Sequence, residues 1–244
     1  MSDTKVETER GSTSGPGEAA PSQIAIDGPV AAGKSAVCVQ VARRLGYRFI
    51  DTGMMYRALT WLALERKIDL QDEAALGRLA ASASITIESG PADAPEAGRV
   101  LVDGADVTDR LRSSEVGMAV SLVSRVPAVR EAMVAIQREL ARRGRVLMAG
   151  RDICTVVLPG AALKVYLDAS PGERARRRYE ELRGTARELS LPQVQDELAR
   201  RDAIDSGRAV SPLRTAEDAV VIDTDGLSLE QVVERILALV SCRS

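Results

Sequence analysis

Short apolar runs along this chain alternate with longer stretches in which apolar residues recur every three or four positions. "SQIAID" (22–27) and "YRFID" (47–51) read as strands, each leading into a helical pattern. The first of these is "KSAVCVQVARRLG", amphipathic and stopped by Gly46; the second is "GMMYRALTWLALER", which can pack back on its strand. Three more β-rich runs follow: "RVLMAG" (145–150), "LKVYLD" (163–168) and "AVVID" (219–223). The last two precede helical patterns, "SPGERARRRYEELR" and "SLEQVVERILALV", whereas none follows "RVLMAG" closely. Strand and helix alternating at this spacing predict an α/β fold, a five-stranded parallel sheet with helices on both faces.

Residues 68–144 break the alternation. They predict a helix ("DEAALGRLAASA"), a hairpin ("SITIES" against "RVLVDGADV", turning at Asp103–Gly104) and two helices split by Pro127. The segment reads as an α+β insert between the second and third strands, placed over the carboxyl edge where open α/β sheets bind ligands. The predicted core is then 23–67 with 145–244. Residues 1–22, rich in Ser, Thr, Gly and Glu, read as a disordered tail, neither a signal peptide nor an anchor.

Composition narrows the chemistry. Basic and acidic side chains number 33 and 35, for a net charge of −2, so no global field draws the protein onto nucleic acid. Of the basic residues 29 are Arg, whose planar fork matches phosphate, although bias in a GC-rich genome would also produce Arg and Ala. His and Asn are absent, which removes Ser-His-Asp triads, His metal sites and the Asn of a protein-kinase catalytic loop. Three dispersed Cys predict reduced thiols and a cytoplasmic protein, and no apolar run approaches transmembrane length.

The stretch "DGPVAAGKSA" carries the first chemistry. Gly28, Gly33, Lys34 and Ser35 spell G-x-x-x-x-G-K-[ST] between a predicted strand and a predicted helix. The backbone of Gly28, Pro29, Val30, Ala31, Ala32, Gly33, Lys34, Ser35 and Ala36 would wrap the phosphates of ATP. Lys34 would reach the β- and γ-phosphates and Ser35 would ligate Mg²⁺. Ala31, with its Cβ, predicts a loop that avoids the left-handed region there.

From "DGPVAAGKS" and "FIDTGMMYRAL" through "VSLVSRVPAVREAM", "AGRDICTVVLPGA", "YLDASPGERARRR" and "RDAIDSGRAVSPL", the chain resembles the cytidylate kinase family over about residues 23–241. The resemblance implies a nucleoside monophosphate kinase fold that phosphorylates CMP, and dCMP, from ATP with Mg²⁺. It also implies a monophosphate-binding insert and a mobile lid at about 170–187. Arg57, Arg151 and Arg208 match its acceptor-phosphate ligands, with Thr52 where many relatives carry Ser. Asp152 and Ser121 match the contacts to cytosine N4 and Arg130 the contact to N3 and O2, a polarity that would reject uracil. Asp205 and Arg201 match sugar-binding positions, though their spacing also suits an exposed helical pair. In the lid, Arg174, Arg177 and Arg178 share a helical face that could close over the donor, and are counted with Lys34, Arg151 and Arg208 as catalytic. Arg176 would point to solvent, and Arg183 and Arg187 complete the cluster. Cys154 stands where relatives usually have Gly and receives no role. A dianionic phosphate is its own nucleophile, so a chain without His suffices. The expected partners are ATP and CMP or dCMP, with no nucleic-acid polymer, no membrane and a monomeric state. A shikimate-type kinase, with Asp51 as base, and a non-catalytic nucleotide-binding protein are the rival readings.

Overall fold

A computed structural model describes residues 22–91, 93–185 and 188–242. The predicted tail, apart from Ser22, and Arg187 of the predicted lid lie outside the described residues.

Strand β1 (Gln23–Asp27) runs through the middle of the molecule and is followed by α1 (Lys34–Leu45), β2 (Arg48–Asp51) and α2 (Thr52–Glu65). Then come α3 (Glu73–Ser82), β3 (Ile85–Glu88), β4 (Arg99–Val102), β5 (Ala105–Asp106), α4 (Ser114–Ser124) and α5 (Pro127–Ala141). The chain closes with β6 (Val146–Gly150), β7 (Leu163–Asp168), α6 (Pro171–Leu182), α7 (Leu191–Gly207), β8 (Val220–Asp223) and α8 (Leu229–Ser241). The main sheet has five strands in the order β2-β6-β1-β7-β8. Every pairing in it is parallel, as the alternation predicts.

Alternation along β1 divides the core. Ile24 and Ile26 pack with Val37 and Val41 of α1 and Val233 and Ile236 of α8 on one face. Ala25 faces the other side, with Ile50, Met148 and Met55. β1 has β6 on one side and β7 on the other, with Asp27 beside Gly150 and Tyr166. The strand order therefore reverses around β1, and a crevice opens at the carboxyl ends on either side of it.

Two local expectations change. Residues 68–144 do more than overhang the carboxyl edge. Leu76, Leu79, Val102, Leu111, Val123 and Met133 join the same apolar cluster as Ala25, Ile50 and Met148, so the segment packs on one face of the sheet, and among the described residues α4 and α5 bring Val120, Ser121, Ser124 and Arg130 to the cleft. Its predicted hairpin is part of a three-stranded antiparallel sheet, β3-β4-β5. After β6 the chain forms a π-helical turn, Ile153–Val157, closed by Val157 N–H to Asp152 O (3.1 Å) and Leu158 N–H to Ile153 O (2.8 Å). A single π turn leaves too little sequence for a periodic signal. The helix α7 also goes unread in the sequence, although its capping box, Ser190 with Gln193, and an early Pro are visible there.

Candidate active site

The loop after β1 is shaped by its backbone. Gly28 has φ 153°, and a Cβ there would stand 2.1 Å from the Leu167 carbonyl oxygen. Gly28→Ala should therefore abolish nucleotide binding and lower Tm sharply, which a thermal melt with and without ATP would register. Ala31 corrects the sequence reading: its φ is 60°, inside the left-handed region. That well is open to a small L residue at a cost of about 1–2 kcal/mol, and the curl of the loop imposes it. Val30 seats the loop in a small apolar cluster with Ala175, Leu182, Val194 and Leu198 of α6 and α7.

No side chain caps α1, so its first N–H groups face the loop. Lys34 Nζ donates to the carbonyls of Gly28 and Pro29, both at 2.7 Å. Desolvation of Nζ and the Arg151 guanidinium nearby lower its pKa well below the usual lysine value, a shift that phosphate oxygens would reverse. Ser35 Oγ donates to Asp51 Oδ2 at 2.8 Å, while Asp51 Oδ1 accepts from Gly53 N and caps α2. Thr52 Oγ1 donates to Ala149 O at 2.9 Å, tying the end of β2 to the end of β6.

Across the crevice the predicted acceptor residues converge. A cleft of about 310 Å³ is lined by Lys34 and Ser35 and also by Arg57, Ser121, Arg130, Arg151, Asp152, Arg201, Asp205 and Arg208. Arg130 is 1% exposed; it donates to Asp152 Oδ2 at 2.5 Å and to Ser124 O at 3.2 Å, and its guanidinium lies 5.2 Å from the Tyr56 ring centroid. Arg57 Nη1 donates to Leu111 O at 3.1 Å. Arg151 spans the cleft, with Nε on Asp205 Oδ2 at 2.9 Å and Nη1 on Gly28 O at 3.1 Å.

Asp205 is buried, so its alternative as an exposed helical pair falls. Burial alone would raise its pKa, but Arg151 and Arg208 outweigh that and hold it below the usual carboxylate range. Burial and the charges of Arg151 and Arg57 push Arg201 down to about 10; burial and Arg130 lower Arg208. Arg201 Nε, Arg130 Nε and Arg208 Nη2 are buried without a hydrogen-bond partner among the described residues. Crowded guanidinium groups with spare donors suit an anion of more than one charge.

The three arginines of α6 do not act as one face. Arg174 is buried beneath the loop, donating to Val30 O and Ala169 O at 3.2 Å each and pairing with Asp202 at 2.6 Å. Arg177 is held by Glu173 and by Thr224, whose hydroxyl and carbonyl accept at 2.9 and 2.8 Å. Arg178, paired with Glu181 at 2.8 Å, lines the cleft. The i, i+3, i+4 spacing sets them side by side, but contacts with Val30, Ala169 and Asp202 hold Arg174 inward. Arg176 is exposed and paired with Glu173, as the sequence predicts. Arg174→Ala should cost about 2 kcal/mol, seen as a lower urea midpoint, because Asp202 loses its partner and Val30 its anchor.

Tyr56, Asp202 and Thr224 escape the sequence reading, and Asp51 enters it only as a base for a rival reaction. Nothing local marks Tyr56, Asp202 or Thr224; each matters through a partner on another element of the fold, Arg130, Arg174 and Arg177 respectively. Cys154 stays without a role: its buried thiol is pushed up by desolvation and by Asp27, which makes it unreactive.

No described helix is long and apolar enough to cross a membrane. The cytidylate kinase family model matches residues 24–242. A cytidylate kinase of Geobacillus sp. (strain WCH70) is 52% identical over 222 residues, 91% of this chain and 97% of that protein. Those of Geobacillus kaustophilus (strain HTA426) and Desulfitobacterium hafniense (strain Y51) are 53% and 49% identical, covering 90% and 89% of this chain and 96% and 91% of theirs. With a G-x-x-x-x-G-K-S loop between β1 and α1, arginines lining the same cleft and likeness over nearly its whole described length, the chain belongs to the cytidylate kinase family.

Proposed function

We propose that this chain transfers the γ-phosphoryl group of ATP to CMP, and to dCMP, giving ADP and the nucleoside diphosphate. The observation that supports it most is Arg151, which joins the carbonyl of the loop's first glycine to the carboxylate of Asp205 across one cleft. The donor takes the loop 28–36, with phosphate oxygens replacing the two carbonyls now bound by Lys34. The acceptor phosphate takes Arg57, Arg151 and Arg208, with Arg201 beside them toward the sugar, and the buried Nε of Arg201 and Nη2 of Arg208 have no hydrogen-bond partner among the described residues. The cytosine edge takes Asp152, Ser121 and Arg130, and the sugar takes Asp205. An oxygen of the dianionic acceptor phosphate forms the new bond to Pγ as the bond from Pγ to the β,γ-bridging oxygen breaks, and the electron pair leaves with ADP. No proton need be removed first.

Ser35 and Asp51 offer hard oxygens on the loop side of the cleft and fit Mg²⁺, with Ser35 as ligand and Asp51 orienting it. When bound, that ion offsets charge on the β- and γ-phosphates. Residues 170–187 would form the lid, with Arg178 reaching the transferring group. Arg178→Ala should lower kcat by about 10- to 100-fold and move the CMP dissociation constant by less than about threefold. Asp51 accepts from Ser35 Oγ and Gly53 N, which ties it to the loop and to the start of α2 rather than to an alcohol acceptor. ADP release assayed with CMP, dCMP, UMP, AMP and shikimate tests the reading. CMP should give the highest kcat/KM, and a preference for any other acceptor class would overturn it.

A further inference from the structure

One carboxylate lies outside the contacts this reaction requires. Asp27 ends β1, is 0% exposed, does not line the cleft and makes no ion pair among the described residues. A buried charge without a cation is costly unless hydrogen bonds replace its water. Both of its oxygens are so used: Oδ1 accepts from Ile153 N at 2.9 Å and Oδ2 from Cys154 N at 2.8 Å. Those are the first N–H groups of the π turn, which have no acceptor within it. The next residue holds the same segment from its backbone, because Gly28 O accepts from Arg151 Nη1. The dipeptide that launches the donor loop thus grips residues 151–154 at three points. That segment carries Arg151 and Asp152.

We propose that Asp27 is a positioning residue: as a carboxylate it clamps residues 151–154 to the start of the donor loop, and so sets base selectivity and the alignment of the two nucleotides while touching neither. The inference rests on the acceptor assignments above. Burial pushes the Asp27 pKa up to about 6, helped by Asp152 and opposed by the two backbone N–H groups. The other titratable groups that face it are the Cys154 thiol of the π turn, Lys34 of α1 and Tyr166 of β7. Because the folded pKa is raised, the fold holds the proton more tightly than the unfolded chain does. The ionised clamp is therefore complete only above about pH 6.

Asp27→Asn keeps the volume but offers one acceptor oxygen and turns an amide N–H₂ toward the other backbone donor. At pH 7.5 it should leave the ATP dissociation constant within about twofold, lower kcat at least tenfold and narrow the CMP-over-UMP preference at least tenfold. Backbone amides 153 and 154 should exchange with solvent about 100-fold faster. A residue that only supports the fold would lower Tm and leave preference and kcat per folded molecule unchanged; that result overturns the proposal. Should the variant fail to fold, the wild type decides. From pH 7.5 to 5.5 the Asp27 carboxyl carbon and amides 153 and 154 should shift with one midpoint, and affinity for cytidine, which has no titrating phosphate, should fall at least threefold. Independent shifts overturn the clamp. A wild type that phosphorylates CMP beside an Asp27→Asn with unaltered selectivity rejects only this inference. A wild type inert toward CMP rejects the acceptor assignment and this inference with it.

Discussion

Asp152→Ala removes most of the distinction between CMP and UMP. In the native protein Asp152 is 3% exposed, bonded to Arg130, and lines the cleft with one acceptor edge available to an amino group. Cytosine N4 can donate to that edge, while uracil O4 would set a lone pair against it. A site built to hydrogen-bond one partner rejects the other by roughly 10⁴, because buried polar groups are left unpaired. The expected fall in kcat/KM for CMP is about 10³-fold, or about 4 kcal/mol, with a far smaller fall for UMP. The same change strands the buried guanidinium of Arg130, which should cost about 3–5 kcal/mol of stability. Asp152→Asn, isosteric and neutral, separates the two effects, since it keeps one acceptor for Arg130. Steady-state kinetics on both nucleotides, alongside thermal melts, check the expectation, and an unchanged CMP:UMP ratio in folded Asp152→Ala would falsify it.

Arg151→Ala has the largest expected effect on the chemical step. The side chain is fixed at both ends, by Asp205 and by the Gly28 carbonyl, so its charge is already held in place when two polyanions meet. Its loss should lower kcat by about 10²- to 10³-fold, the range seen when a preorganised donor to a transition state is removed. Dissociation constants for ATP and CMP should each change by less than about tenfold, because the remaining loop and the other arginines still bind. Arg151→Lys restores the charge without the fork and should recover only a small part of kcat. Rapid-quench measurement of the single-turnover rate, with calorimetric affinities, distinguishes this from a binding defect. A variant impaired in KM alone would rule out the bridging role.

What was legible in the amino acids follows the range of the forces involved. β1 and α1 with the loop between them are encoded by adjacent residues, through an apolar run, two glycines and a helical stripe, and they form within a single stretch of chain. The parallel sheet was equally open, since buried strands show themselves as short apolar runs and the helices between them as a change of period. The small antiparallel sheet was half seen: the Asp103–Gly104 turn was legible and joins β4 to β5, while three strands rather than a simple hairpin follow from the pairing of β3 with β4. The convergence of Arg130, Arg151, Asp152 and Arg208 was open only through resemblance, because spacing along a chain does not say which strand ends meet.

The sequence by itself determined the phosphate loop, the strand–helix alternation and the excess of arginine over every other cation, because each depends on neighbours within a few residues. Tertiary structure alone decided which arginines face the cleft. It turned Arg174 under the loop and Arg178 toward the crevice from positions one helical turn apart, and it stretched Arg151 between Gly28 and Asp205. It also bent Ala31 into a left-handed conformation and buried Asp27 beneath a turn 126 residues away. The physical reason is common to all of these: a hydrogen bond or a buried charge is settled by what the fold brings within about 3 Å, and local sequence carries no record of that neighbour.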